Sequence, residues 1–190
     1  MSHSQAIFTR GSAAEALWAK IDRSRLPRHI AVIMDGNGRW ARRRRLPRIA
    51  GHRAGVQTVR RVVETCAQIG LSVLTLYAFS VENWKRPRTE VTFLLKLLRE
   101  YVRKELGTLD RNNVRLRVIG RWEELPEPVR RDVARAIETL RKNTGMELVV
   151  ALNYGARAEL VDAVNALLIA HQRDGIPGRI QEADLAAHLY

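Results

Sequence analysis

The chain has 190 residues, 46% hydrophobic and 28% charged, which suits one globular domain with a substantial core rather than a disordered or fibrous polymer. Its 33 Lys and Arg against 20 Asp and Glu leave a formal net charge of +13, which points to anionic partners: nucleic acid, a membrane surface or phosphorylated metabolites. A single cysteine, Cys66, excludes an intramolecular disulfide framework and a multi-cysteine zinc site, and the uncharged run 66–81 is too short to span a bilayer.

Residues 1–27 are polar and mixed and read as a loose arm with a short helix near 13–21. Residues 1–20 hold no apolar stretch of signal-peptide length, so a cytoplasmic protein is expected. Pro27 closes the arm. The apolar run 29–34 reads as one short buried strand. It ends at Asp35; Gly36 and Gly38 follow, and a helix-compatible stretch begins at Arg39. A strand ending in a carboxylate, then a glycine-containing turn, then a helix start, suits an anion, because free backbone N–H groups and the positive helix end face it. Asp35 repels that anion unless a divalent cation lies between them, so a magnesium–diphosphate site is the chemical reading. The plainer alternative is a turn capped by an aspartate. Arg42 to Arg45 form a run of four cations beside Arg39, Arg48 and Arg53, either a solvated face or a device for electrostatic capture.

A helix is expected over 51–69, with Val56, Val59, Val63, Cys66 and Ala67 at helical spacing and Gly70 as its stop; Cys66 on that face is read as a buried, inert thiol. The near-continuously apolar run 72–79 predicts a strand of a parallel sheet covered on both faces. It leads into 80–88, a loop crowded with polar and aromatic side chains at a strand's C-terminal end, where open α/β sheets bind ligands. The helix expected over 89–109 carries apolar residues around more than one stripe, as a helix buried on two sides does, or one that lines a cavity for a greasy substrate. A more exposed strand over 113–120, an amphipathic helix over 126–142, a strand over 146–153, a helix to about 171, a loop at 175–178 and a helical segment from 181 complete the chain. Strands and helices alternate throughout, so the fold class is α/β: a single domain with a mostly parallel β-sheet flanked by helices.

Asp35-Gly36-Asn37-Gly38-Arg39-Trp40, Gly51-His52-Arg53-Ala54-Gly55, the block from Leu76 to Pro87 and Asn153-Tyr154-Gly155-Ala156-Arg157 together closely resemble the cis-prenyltransferases, above all the bacterial undecaprenyl (polyprenyl) diphosphate synthases. The resemblance covers about 25–190, with the blocks in the same order and spacing. It implies residues 28–190 as the catalytic domain after a flexible arm at 1–27, and an isoprenyl transferase that joins isopentenyl diphosphate to an allylic diphosphate of the farnesyl type. It implies Mg2+ as cofactor, held by Asp35, which manages the departing diphosphate. Asn37, Arg39, Arg48 and His52, with the backbone at Gly36 and Gly38, match the allylic diphosphate pocket, and Trp40 matches a residue beside the first isoprene units. Phe79, Ser80, Val81 and Glu82 match the loop over the reacting centre; Val81 stands where bacterial relatives often have a second serine. Asn83 matches the proton acceptor assigned in the family, although an amide is a poor base and the released diphosphate competes for that role. Trp84 and Arg86 match the loop that closes on isopentenyl diphosphate. A homodimer, peripheral membrane contact through a lipid product and no nucleic acid partner are implied as well.

Family members usually continue past the point matching Tyr190 with a further strand, an Arg-x-(Ser/Gly)-Gly-Glu-x-Arg-x-Ser block and a later Glu. This chain is therefore expected to be truncated at the C-terminal end, to hold the allylic half of the site, to turn over weakly or not at all, and to be poorly soluble through an unprotected sheet edge. The competing readings are a non-catalytic partner subunit or fragment of the family, and a basic nucleic-acid-binding protein. Against the last, aromatics do not interleave with the cations as in a stacking platform, and no RNA-binding motif occurs.

Overall fold

The structure, a computed structural model, describes residues 8–174 and 179–190. The loop expected at 175–178 lies outside the described residues. Helix α1 spans Ala13–Trp18, shorter than the sequence suggested, with the Ser12 hydroxyl accepting from the Glu15 N–H as its cap. Strand β1 (His29–Ile33) leads through the Asp35 turn to α2 (Asn37–Arg43) and α3 (Arg48–Gln68). The second helix begins at Arg48 rather than Gly51, because Pro47 sets up its first turn. Strand β2 (Val73–Ser80), α4 (Arg88–Arg111), β3 (Arg115–Ile119), α5 (Glu127–Leu140), β4 (Glu147–Tyr154), α6 (Ala156–Asp174) and the short α7 (Glu182–Ala186) follow.

The four strands form one parallel sheet in the order β1-β2-β4-β3. Alternation puts Leu74 and Leu76 of β2 and Leu148 of β4 on one face, where Val63 and Cys66 of α3 meet them in one cluster. The second cluster joins Val91 and Leu95 of α4 to Val129 and Val133 of α5, with Phe79 and Leu152 from the ends of β2 and β4. Cys66 is buried, and burial raises its thiol, as expected for an inert position. A buried carboxylate, Asp132 of α5, accepts from Arg99 at 2.7 Å and Arg103 at 2.9 Å and so ties α4 to α5. Among the described residues helix α6 enters neither cluster, and its buried ones are Ala163 and Leu167.

One expectation is corrected. The strand at β1 is not buried: His29, Ala31 and Ile33 are exposed, Ile33 at 77%. The sheet order makes β1 an edge, so only Ile30 and Val32 reach the core. A strand's apolar composition reports its propensity, but its burial depends on how many neighbours it has. The exposed character expected for β3 holds, since it is the opposite edge.

Candidate functional site

The end of β1, helix α2, the start of α3 and the start of α4 enclose a cleft of about 500 Å³, within the range usual for ligand pockets. At its centre Asp35 is well exposed. One carboxylate oxygen accepts from the Gly36 N–H and the other from the Arg39 guanidinium at 2.7 Å. Gly36 sits at φ +96°, a left-handed conformation that an L side chain strains to adopt, so the turn needs glycine there. The helix after it has only seven residues. Its macrodipole is correspondingly small, and the positive field of the cleft comes from side chains: Arg39, Arg42, Arg45, Arg48 and Arg86 all line it.

The glycines of the second sequence block explain how the turn is held. A Cβ on Gly51 of α3 would lie 2.0 Å from the Asn37 carbonyl oxygen, and one on Gly55 would lie 2.7 Å from the Asn37 amide oxygen. Four residues apart, the two share one helix face, and Asn37 rests on the bare backbone there. Gly51 and Gly55 are thus a seat for the anion turn, a role not read from the sequence, although small residues at i and i+4 on a helix are a legible signal of close approach.

The sequence reading also missed Glu90. This buried carboxylate opens α4 and accepts from Arg86 at 2.8 Å; the His52 ring nitrogen lies 3.4 Å away and the Arg48 guanidinium 3.7 Å away. Burial alone raises the Glu90 carboxyl, but the hydrogen bonds from Arg86 and His52 and the charges of Arg86 and Arg48 together hold it below its ordinary value. Burial also lowers His52 below its ordinary value, against the opposing hydrogen bond and charge of Glu90, so the ring is neutral at physiological pH. Glu90 therefore gathers three candidate phosphate-facing groups, Arg48 and His52 from α3 and Arg86 from the loop before α4. Its place four residues after Arg86 was the available clue.

The sequence-predicted residues divide into two groups. Asp35, Gly36, Asn37, Gly38, Arg39, Arg48, His52 and Arg86 line the cleft. Trp40, Phe79, Ser80, Val81, Glu82, Asn83 and Trp84 do not. Trp40 is turned outward at 37% exposure, with the Arg44 guanidinium 4.2 Å from its ring centre. Phe79 is a core residue: the β2–β4 register breaks between Tyr77 and Ser80, and this irregularity lets it join the α4–α5 cluster, 5.2 Å from the Trp84 ring. Val81 to Lys85 make a single helical turn in which the Asn83 amide oxygen accepts from the Ser80 N–H and the Ser80 hydroxyl accepts in return, a reciprocal cap. Glu82 is exposed, and a hydrogen bond from Ser80 lowers its carboxyl. The Trp84 indole donates to the Asn153 amide oxygen at 2.7 Å, while the Asn153 amide nitrogen donates to the Arg121 carbonyl and to Glu124. Gly155 leaves the space that Val81 fills. The block at Asn153–Gly155 is thus strand-end architecture that anchors the loop.

Among the described residues no group of three or more His, Cys, Asp or Glu could hold a metal ion. Asp35 alone suits a magnesium ion that arrives with a diphosphate, since Mg2+ is commonly held by one or two carboxylates plus phosphate oxygens and waters. Among the same residues no helix is long and apolar enough to cross a membrane.

Three comparisons bear on this arrangement. Residues 33–190 match the family model described as "Putative undecaprenyl diphosphate synthase". The chain is 51% identical over 184 residues to a protein of Heliobacterium mobile named isoprenyl transferase, covering 96% of this chain and 71% of that one. An isoprenyl transferase of Shouchella clausii (strain KSM-K16) is 48% identical over 170 residues, covering 89% of this chain and 66% of the relative. Among solved structures, lavandulyl diphosphate synthase from Lavandula x intermedia, in complex with dimethylallyl diphosphate, superposes with a TM-score of 0.81 at 29% identity, over 86% of this chain and 70% of that one. A probable undecaprenyl diphosphate synthase from Campylobacter jejuni gives 0.68 at 31% identity, over 85% and 68%.

Proposed function

The chain belongs to the undecaprenyl diphosphate synthase family of isoprenyl transferases, and from that membership we propose that its cleft binds the diphosphate of a farnesyl-type allylic substrate for condensation with isopentenyl diphosphate. The observation that carries the reading is the cleft's charge: five arginines against two carboxylates, one of which is already committed to three basic partners. Such a site favours a compact, multiply charged anion over a neutral or cationic ligand.

In the proposed reaction the allylic C–O bond breaks and its electron pair leaves with the diphosphate. The π-bond of isopentenyl diphosphate attacks the allylic carbon to form the new C–C bond, and loss of a proton creates the next double bond. Arg39 and Arg48 hold the leaving oxygens, while His52, whose Nε2–H is given to the Glu90 carboxylate, positions that carboxylate and with it Arg48 and Arg86. Magnesium, when bound, would supply Lewis-acid neutralisation of the diphosphate, and Asp35 would hold it. The Asn83 amide oxygen already accepts from Ser80, which favours the released diphosphate over Asn83 as proton acceptor. Trp84 and Arg86 lie on the loop assigned to isopentenyl diphosphate. The isoprenoid tail is assigned to the seam between α3 and α4. Deep in that seam, beside Val63 and Tyr101, the free volume is only about 10 Å³, room for one water, so the tail has to part the helices as it grows.

Calorimetric titration of the chain with farnesyl thiodiphosphate, with and without Mg2+, tests the proposal. Expected are magnesium-dependent binding and a loss of tenfold or more on Arg48→Ala, a charge-assisted contact being worth about 1.5–3 kcal/mol. Binding that ignores both magnesium and Arg48 would refute it.

A further inference from the structure

We propose that the stretch from Trp40 to Ile49 is a docking surface for an anionic lipid bilayer. Every residue in it except Ala41 is exposed. Between Asp35 and Glu64 the chain has nine arginines and no carboxylate. Arg39, Arg48 and Arg60 of these pair with acidic groups, but among the described residues Arg42, Arg43, Arg44 and Arg45 form no salt bridge. Four consecutive cations are thus exposed without an ion pair among the described residues, Arg44 with its guanidinium over the Trp40 ring. Apolar side chains stand among them: Trp40 at 37%, Leu46 at 44% and Ile49 at 38% exposure.

Cations alone attract any polyanion, and the apolar members decide between partners. Exposed Leu and Ile gain nothing against a phosphodiester backbone, whereas they bury against acyl chains at the headgroup boundary, and Trp with Arg is the pairing that region favours. The flexible arginine stems reach phosphates while their methylenes cover the same boundary. Arg42, Arg45 and Leu46 also line the cleft, so the surface borders its mouth. In one respect the inference rests on the proposed reaction: a product that is a lipid with a diphosphate head is delivered most directly from a cleft whose rim lies on the bilayer.

Sedimentation with phosphatidylglycerol vesicles, against phosphatidylcholine vesicles, tests it on the whole chain. Expected are pelleting with the anionic vesicles only, release by high salt, and a drop of tenfold or more in the partition coefficient for Arg43→Gln/Arg44→Gln. Ile49→Ser is expected to weaken pelleting at low salt, where the charge attraction is intact. Equal affinity for both vesicles, no affinity for either, pelleting undiminished in the double variant, or displacement from vesicles by single-stranded RNA at matched phosphate would each overturn it. Wild-type vesicle binding needs no variant to fold. Anionic pelleting by a chain that fails to bind farnesyl thiodiphosphate would uphold the surface while refuting the reaction assigned above.

Discussion

Replacing Gly51 by alanine should damage the diphosphate site far more than the fold. The new methyl would stand 2.0 Å from the Asn37 carbonyl oxygen and 3.2 Å from the Ala41 Cβ. An ordinary carbon–oxygen contact is about 3.3–3.6 Å, so the Asn37 turn must retreat by about 1.3 Å. Overpacking of this kind costs about 1–3 kcal/mol, partly offset by about 0.5–1 kcal/mol from removing a helical glycine. Net destabilisation should therefore stay near or below about 2 kcal/mol. A displacement of about 1 Å in a positioning element, by contrast, is enough to cost about a hundredfold in a preorganised site. Gly107→Ala is the matched control: its methyl meets only the far end of Arg111, at 3.4 Å, and should stabilise α4 by about 0.5–1 kcal/mol. Urea unfolding and farnesyl thiodiphosphate titration read the two effects separately. If Gly51→Ala binds like the parent and gains stability like Gly107→Ala, the seat argument is wrong.

Two further outcomes follow from the polar contacts. Glu90→Gln removes the hydrogen bond and charge that oppose burial at His52, so the ring, already below the ordinary imidazole value, should titrate lower still; a rise followed by NMR would contradict the assignment. In the parent the depressed His52 contributes stability that is present above about pH 6.5 and lost as pH falls through its folded value. Glu90, held below 4.5, adds a second loss at more acid pH, so urea unfolding should be level from pH 8 to 7 and weaken below. Asn153→Ala strands the Trp84 indole and the Arg121 carbonyl and should cost about 2–3 kcal/mol in urea unfolding, with a change in tryptophan emission; an unchanged midpoint would show that the anchor is dispensable.

The order and type of the elements were legible because each segment's periodicity agreed with its end signals: Gly70 after α3, Pro87 before α4, Pro126 before α5. Burial was less legible. The apolar run of β1 carries the composition of a central strand, and only the sheet order reveals it as an edge. In the site, the residues that line the cleft were readable as types: a carboxylate, glycines and arginines after a strand. The supports were not. Gly51, Gly55 and Glu90 act by touching Asn37, His52 and Arg86 from another helix, and no local pattern states which helix that will be. Phe79 shows the converse: its position in a recognised block suggested substrate contact, and the register shifts on either side of it turn it into the core.

Asp35 is the residue on which the two readings of the opening turn meet, and the structure makes them compatible. As a cap it binds the Gly36 N–H; as a metal ligand it would have to surrender Arg39. Both partners of that ion pair are more than half exposed, at 65% and 73%, so the pair is worth no more than about 1 kcal/mol and exchanging it is cheap. The freed Arg39 would then be available to the proposed diphosphate. Asp35→Asn separates the two roles, because the amide oxygen still accepts from Gly36 while the charge needed by the metal is gone. Its unfolding free energy should stay within about 1 kcal/mol of the parent. The magnesium-dependent part of farnesyl thiodiphosphate binding should disappear, leaving the weaker, metal-independent affinity of the arginines. If magnesium still tightens binding in Asp35→Asn, Asp35 is only a cap, and the ion must be held by the ligand alone.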